Sequence, residues 1–181
     1  FEYYVEKGGE AKVRLSRFGH EWSKAYRHPL QLMKIISVSL DSAKLSVWYS
    51  LRNIGVEALD INFAPEFAII PPLPLGASEE ELAKYPCRIA GGNTIEVDLR
   101  TEISHGDVTE YAIKDAYNGI VTELSWDKPA ELWLAPLRAM VQTDRGLEFI
   151  YQGTIIMPVF RVKLSKDIES SFNLSLRIIE G

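Results

Sequence analysis

The sequence lacks the marks of several protein classes. Its single cysteine, Cys87, excludes an intrachain disulfide and a zinc site made of several cysteines, and it predicts a reducing compartment, the cytoplasm. No apolar run approaches the ~20 residues of a membrane-spanning helix, so we expect no membrane partner. The net charge of -5, with scattered lysine and arginine, disfavours a nucleic-acid surface. An uncharged or weakly charged partner is the better expectation.

Motifs for metals, nucleotides and activated nucleophiles are missing too. The three histidines, His20, His28 and His105, have no zinc-site spacing, and the chain has no phosphate-binding glycine loop or G-x-S-x-G turn. We therefore expect no metal and no cofactor. Asn and Gln together number only eight, which is the direction expected for a thermophile. The chain begins with Phe1 and shows no signal peptide, so we expect it to be part of a longer protein.

What the sequence does contain is repeated alternation of apolar and polar residues. In Lys44–Arg52 the odd positions are apolar and the even positions are polar except for Trp48. Because sustained helical periodicity is nearly absent, residues 1–181 are predicted to form one all-β domain, an antiparallel β-sandwich. The predicted strands are Leu32–Leu40, Lys44–Arg52, Leu59–Phe67, Thr94–Arg100, Val108–Lys114, Ile120–Trp126, Ala130–Leu134, Phe160–Leu164 and Phe172–Ile178. The predicted core residues are Val47, Tyr49, Leu51, Ile61, Phe63, Phe67, Phe160, Val162, Leu174 and Leu176.

The connections carry their own signals. Asn53-Ile54-Gly55-Val56 predicts a hairpin between the second and third strands, and Asp127-Lys128-Pro129 predicts a turn. Ser78-Glu79-Glu80-Glu81 has the form of a capping box, so a short helix is predicted up to Tyr85. That helix lies in the connection Pro71–Asn93, which is long enough to suggest a functional loop.

Trp48 is the first candidate for ligand binding. It shares the polar face of its strand, and the predicted hairpin would bring it near Asp60 or Asn62, with Glu66 further along. An aromatic ring among hydrogen-bonding side chains suits a sugar, whose C–H face stacks while its hydroxyls pair. Trp133, in phase with Glu131, is a second candidate. The alternative for both is that another layer covers the tryptophan.

Two further side chains, His105 and Cys87, are reactive types, but the sequence shows no catalytic partner near either. His105 lies in S-H-G-D, Ser104–Asp107, which predicts a turn, and a loop histidine is the simplest interpretation. Cys87 stands beside Pro86 and Arg88 with no nearby histidine, and an incidental thiol is expected.

Short motifs follow one another along the chain. They are L-S-V-W-Y-S-L-R-N at Leu45–Asn53, F-A-P-E-F at Phe63–Phe67, D-A-Y-N-G-I-V-T-E-L at Asp115–Leu124, A-E-L-W-L-A-P-L at Ala130–Leu137, R-G-L-E-F-I-Y-Q-G at Arg145–Gly153 and M-P-V-F at Met157–Phe160. In this order they resemble the C-terminal β-sandwich domain of family 57 glycoside hydrolases, the α-amylases and 4-α-glucanotransferases. The resemblance covers most of residues 30–165 and contains no catalytic signature.

The resemblance implies a supersandwich similar to the galactose mutarotase-like fold, with the catalytic carboxylates on a barrel N-terminal to it. No catalytic residue is carried over; only Glu66, Asp115, Glu148 and Gln152 match family motif letters. Ala68 departs from the polar residue often found after the Glu66 motif.

Three hypotheses follow. The first is a noncatalytic domain that packs on an N-terminal catalytic barrel and assists binding of α-glucan or maltooligosaccharide through Trp48, Asp60, Asn62, Glu66 and Trp133. The second is a stand-alone mutarotase-like aldose epimerase with His105 as acid and Glu148 or Glu66 as base. The third is a purely structural module.

Overall fold

A computed structural model describes residues 2–5, 10–23, 26–73, 77–144 and 146–181. In them the chain is almost entirely β-structure, and the strand pairings below are all antiparallel. The elements are β1 (Glu2–Val5), β2 (Glu10–Ser23), β3 (Tyr26–Ser39), β4 (Lys44–Asn53), β5 (Leu59–Phe63), β6 (Phe67–Ile69), α1 (Glu79–Leu82), β7 (Pro86–Gly91), β8 (Ile95–Asp98), β9 (Ile103–Asp115), β10 (Ile120–Thr143), β11 (Gly146–Leu164) and β12 (Glu169–Glu180). The all-β, antiparallel prediction is confirmed. None of the helical residues described here forms a segment long and apolar enough to cross a membrane.

The chain divides into two compact units. The first comprises Phe1–Phe63, Glu123–Lys128 and Arg161–Ile179. In it β1, β2, β3, β4 and β12 lie side by side in that order. The ring of Phe63 from β5 lies 5.2 Å from that of Tyr49 on β4 and 5.3 Å from that of Phe172 on β12. β5 therefore packs against the face of the β4–β12 sheet, as in a sandwich.

The predicted hairpin between β4 and β5 is wrong. β4 pairs with β3 and β12, and β5 pairs with β11. Asn53 supplies the physical reason, because its buried side chain donates to the carbonyl of Leu164 at 3.0 Å and to that of Glu57 at 2.7 Å, and accepts from the N–H of Gly55 at 2.9 Å. These bonds tie the end of β4 to β11, so the chain leaves the β4 sheet instead of turning back beside it.

The second unit comprises Ala64–Thr122, Pro129–Phe160 and Glu180–Gly181. Its strand order is β8, β7, β9, β10, β11, β6. β10 and β11 pair from Glu131 and Val159 to Thr143 and Gly146, with a shift of register between Leu137 and Arg138. The most buried side chains of this unit are at most 1% exposed; they include Leu82, Ile89, Tyr111, Leu132 and Ile156.

The turn predicted at Asp127-Lys128-Pro129 is also wrong, since β10 runs through it without interruption. Asp127 accepts hydrogen bonds from the backbone N–H and the side chain of Asn173, and Lys128 donates to the carbonyl of Ser171. Both side chains thus hold β10 to β12 instead of closing a turn.

The predicted helix is confirmed, although it is shorter than expected. Ser78 and Glu81 form the reciprocal capping box, and the helical residues are Glu79–Leu82. The connection Pro71–Asn93 was predicted to lack strands, but β7 lies within it; its residues 74–76 fall outside the described part of the chain. The turn predicted at Ser104–Asp107 is wrong as well, because β9 includes these residues, although Asp107 has a positive φ of 55°.

The predicted core is confirmed in register. Val47, Tyr49, Leu51, Phe160, Val162 and Leu174 are buried, while Ile61, Phe63, Phe67 and Leu176 are half-buried. None of the ten is exposed, so alternation placed each segment on the correct face. Each predicted strand overlaps an observed one, whereas β1, β2 and β7 were not predicted.

Candidate functional site

The outer face of β10 in the second unit carries an exposed tryptophan. Leu132 and Leu134 point to the core and are at most 2% exposed, so Trp133 between them points outward and is 45% exposed. Its register partner on β11 is Met157, and Ala135 pairs with Ile155 in the next row of the same face. An aromatic and mainly apolar strip therefore lies on the outside of the β10–β11 pair.

The indole of Trp133 is held in place by a carboxylate. Its Nε1 donates to Oε1 of Glu131 at 2.9 Å, and the hydroxyl of Ser104 on β9 donates to the same oxygen at 2.6 Å. Glu131 is on the same face because it lies two residues before Trp133 on the strand. The ring is thus oriented before any ligand arrives, which lowers the entropy cost of stacking on it.

A cavity of about 530 Å³ opens over this face. Trp133, Ala135, Ile155 and Met157 contribute apolar surface, and Glu102 contributes a carboxylate, with Ser104 also in the lining. The volume falls in the range of about 300–1,000 Å³ typical of small-molecule sites. A flat aromatic surface with a few hydrogen-bonding groups at its edge suits the ring of a neutral sugar.

Glu66, a third residue predicted to bind sugar, lies outside this cavity. β6 begins at Phe67, which pairs with Ile156 of β11. Glu66 precedes that strand, is exposed and does not line the Trp133 cavity. Of the five residues predicted to bind sugar, Trp133 is therefore the one that borders this cavity.

Trp48 does not lie near Asp60 and Asn62, so that part of the prediction is wrong. Trp48 pairs with Ile35 on β3 and Asn173 on β12. Its neighbour Tyr49 faces Phe63 of β5, so Trp48 points away from β5 and is half-buried. Asp60 and Asn62 alternate with Phe63 and are exposed on the opposite side of β5.

Asp60 belongs to a different cavity of the first unit. It lines a space of about 270 Å³ together with Glu21, Tyr26, His28 and Glu57. His28 Nδ1 lies 3.7 Å from the Glu57 carboxylate. The volume is below the usual range for a ligand site, so this cavity is the weaker candidate.

The side chains considered for catalysis do not form a site with Trp133. His105 is half-buried and does not line the Trp133 cavity. Cys87 is 1% exposed, and burial raises the pKa of its thiol to about 11, so it is a neutral core side chain at physiological pH. Across the described ranges, no cluster of three or more His, Cys, Asp or Glu side chains is arranged to hold a metal ion.

Sequence reasoning missed Ser104, Glu102 and the anchoring role of Glu131. β9 and β10 form a hairpin, but Ser104 lies 27 residues from Glu131, so their contact depends on the exact register of the two strands. The spacing of Glu131 and Trp133, two residues apart on one strand face, was the available signal.

Comparison with known proteins identifies the chain's relatives. A family model described as alpha-amylase/4-alpha-glucanotransferase, C-terminal, matches residues 1–174. Comparison with curated protein sequences gives no match. Among solved structures, a 4-alpha-glucanotransferase from Thermococcus litoralis superposes with a TM-score of 0.64 at 19% identity, over 97% of this chain and 22% of that one.

Two galactose mutarotase-like proteins share the fold. One from Clostridium acetobutylicum gives a TM-score of 0.58 at 13% identity, over 100% of this chain and 66% of that one. One from Lactobacillus casei gives 0.55 at 10% identity, over 99% and 73%. These similarities confirm the galactose mutarotase-like β-sandwich. Since the family model covers nearly the whole sequence, the chain belongs to the family of C-terminal domains of alpha-amylase/4-alpha-glucanotransferase.

Proposed function

We propose that this chain is the noncatalytic C-terminal domain of a family 57 α-amylase or 4-α-glucanotransferase, and that it assists the enzyme by binding α-glucan on the face of Trp133. The observation that supports this most is the exposed indole, fixed by Glu131 and bordering a cavity of about 530 Å³. The family match makes an α-glucan the expected sugar. The motif order in the sequence favours family 57.

Binding at this face should be weak. One stacked sugar ring and a few hydrogen bonds that compete with water offset little of the association entropy. We expect a dissociation constant on the order of millimolar, near -4 kcal/mol. Weak sites of this kind act by keeping a long glucan near the catalytic domain, because the second contact is intramolecular.

Titration of the chain with maltoheptaose, followed by backbone amide shifts, tests the proposal, because this signal does not depend on the indole of Trp133. Trp133→Ala should weaken binding at least about tenfold, or about 1.4 kcal/mol. Trp22→Ala is the matched control, because Trp22 is 62% exposed on β2 in the first unit. No saturable change up to tens of millimolar, roughly ten times the expected constant, would overturn glucan binding, and an equal loss in both variants would remove Trp133 as the site.

We also expect the chain alone to have no hydrolase or transferase activity, because the resemblance carries no catalytic residue over to it. Incubation with maltoheptaose should release no reducing sugar. Accelerated interconversion of α- and β-glucose that is lost in His105→Ala would instead favour the mutarotase alternative.

A second surface supports packing against a catalytic barrel. Met140, Leu147 and Phe149 are 60%, 66% and 72% exposed. Met140 pairs with Phe149, and Leu147 lies two residues before Phe149, so the three share one face near the end of the β10–β11 hairpin. The chain spans only 22% of the Thermococcus litoralis enzyme, so most of such a relative is available to cover them.

Substitution of these side chains should have different effects in the isolated chain and in the longer enzyme. Phe149→Ser should leave the thermal midpoint of the chain nearly unchanged, since surface changes usually stay within about 0.5 kcal/mol. In the longer enzyme it should lower the midpoint of this domain, whereas Val56→Ser, at an 82% exposed position of the first unit, should not. Equal behaviour of the two variants in the longer enzyme would contradict the packing surface.

We propose the cytoplasm of a thermophile as the setting of this enzyme. The single cysteine and the eight Asn and Gln residues support it. A thermal midpoint above about 65 °C, the upper end for mesophile domains, is expected. A midpoint inside the mesophile range would contradict the thermophile assignment.

A further inference from the structure

A tight turn in the second unit presents a tyrosine to solvent. Tyr117 is 92% exposed, while Asp115, two residues earlier, is 3% exposed. Asp115 Oδ1 accepts from the N–H groups of Tyr117 at 3.0 Å and Asn118 at 3.1 Å, and its Oδ2 accepts from Asn118 Nδ2 at 2.6 Å. Gly119 completes the turn with φ 64°, a conformation that glycine adopts without strain. The backbone under Tyr117 is therefore rigid.

Single exposed aromatic residues are common, so exposure alone proves nothing. Tyr117, however, lines a cavity of about 390 Å³ that lies within the usual range for small ligands. Tyr85, just after α1, lines the same cavity, so two tyrosines from separate segments border one space. Pro72, Leu73 and Ala116 add apolar surface.

The rim of this cavity carries one charge of each sign. Glu81 and Lys84 both line it, which gives acceptors and donors without a net charge that would select an ion. The Tyr85 hydroxyl donates to the carbonyl oxygen of Pro72 at 3.5 Å, and its own oxygen can accept a hydrogen bond from a ligand. Two aromatic rings with balanced polar groups suit a neutral polyhydroxylated ligand.

We infer that the cavity between Tyr117 and Tyr85 is a second α-glucan contact, separate from the Trp133 cavity, which takes one or two glucose rings. The two cavities share no lining residue. The choice of glucan as the ligand rests on the proposed function, whereas the existence of the site rests on the geometry of the turn and the cavity.

Titration of the chain with maltotriose, observed through backbone amide shifts, tests this inference. Two groups of residues should shift, one around Trp133 and Ser104, the other at Ala116–Asn118 and Tyr85. Tyr117→Ala should reduce the second response at least tenfold in affinity and leave the first intact. Tyr117→Phe should keep it, because the ring remains, and Phe18→Ala, at a 69% exposed position of the first unit, is the matched control.

The outcomes separate this inference from the proposed function. Shifts only around Trp133 would overturn the second site and leave the first. Shifts only around Tyr117, retained in Trp133→Ala, would support the second site and overturn the role of Trp133. An absence of shifts up to tens of millimolar would overturn both. The circular dichroism of Tyr117→Ala should match the parent, which shows that a lost response is not lost folding.

Discussion

Trp48 and Trp133 occupy equivalent positions in sequence and different environments in the structure. Each interrupts the polar side of an alternating strand. In the first unit Trp48 is half-buried, with Ile35 and Asn173 as its register neighbours. In the second unit Trp133 is 45% exposed and its indole N–H is held by Glu131. The same sequence pattern therefore marks a packing residue in one unit and a candidate binding surface in the other.

The difference lies in what surrounds each ring. The row beside Trp48's row in the β3–β4–β12 sheet consists of three serines, Ser37, Ser46 and Ser175. None of the three is exposed, and Ser50 on the same face of β4 is only 3% exposed, whereas Asn173 in Trp48's own row is exposed, so this face is partly covered around the tryptophan. The face of Trp133 instead opens on a cavity. Alternation identifies the face, while only the neighbouring strands decide whether that face is open.

The largest expected effect contrasts the two faces of β10. Leu132→Ala should lower the free energy of unfolding by about 2–5 kcal/mol, because Leu132 is 0% exposed and its removal leaves a cavity. Trp133→Ala should lower it by about 1 kcal/mol or less, as expected of an exposed site. Urea denaturation measures both. Similar losses would show that Trp133 is a packing residue after all, and the comparison with Trp48 would fail.

The next effect concerns Trp48 itself. Trp48→Ala should cost about 2 kcal/mol, roughly half of the 3–5 kcal/mol typical of a fully buried aromatic residue. The affinity of the Trp48→Ala variant for maltoheptaose should equal that of the parent. The same two measurements on Trp133→Ala should give the reverse result, a small loss of stability and a large loss of affinity. Loss of affinity in Trp48→Ala would restore the site that the strand pairing argues against.

The faces of single strands were predicted correctly, whereas strand partners and two turns were not. Alternation assigned Val47, Leu174 and the other core positions to the correct face, because the side-chain period of a strand is fixed by its backbone. It could not find the partner of β4, which is β12, more than a hundred residues away. Asn53 was interpreted as a hairpin residue because its bond to Leu164, at the end of β11 and 111 residues away, leaves no mark in the local sequence.

The Trp133 site was also predictable only in part from the sequence. Trp133 and Glu131 were visible as a pair on one strand face. Ser104 was not, because its bond to Glu131 crosses from β9 to β10. Tyr117 was present in the D-A-Y-N-G motif, and the Asp115 and Asn118 spacing is typical of a side-chain-stabilised turn. The cavity beside it also requires Tyr85, which is far away in sequence.

A smaller effect is expected from the pH dependence of two loops. Each unit has one loop that is organised by a buried polar side chain. Asn53 organises its loop in the first unit and does not titrate. Asp115 does so in the second; burial opposes ionisation, but hydrogen bonds from Asn118 and Tyr117 lower the pKa of its carboxyl. A lowered folded pKa contributes stability above the unfolded value of about 3.9, and that stability is lost as the pH falls through the folded pKa.

The amide exchange of Tyr117 and Asn118 should therefore accelerate below about pH 4, after correction for intrinsic rates, whereas that of Gly55 beside Asn53 should not. Asp115→Asn removes the charge and should abolish the pH dependence at the turn. An unchanged profile in that variant would assign the effect to another carboxyl group.

The smallest effect is expected from the hydrogen bond that orients the indole of Trp133. Glu131→Ala removes the acceptor of the indole N–H, whereas Ser104→Ala removes only the second donor to the same oxygen and leaves the 2.9 Å bond to Trp133 in place. A hydrogen bond contributes about 0.5–1.5 kcal/mol net, so Glu131→Ala should weaken maltoheptaose binding about two- to tenfold by freeing the ring. Ser104→Ala should change affinity by less, although its hydroxyl borders the cavity. A larger loss in Ser104→Ala would mean that this hydroxyl contacts the sugar directly, and that the polar edge of the cavity contributes more to binding than the orientation of the indole.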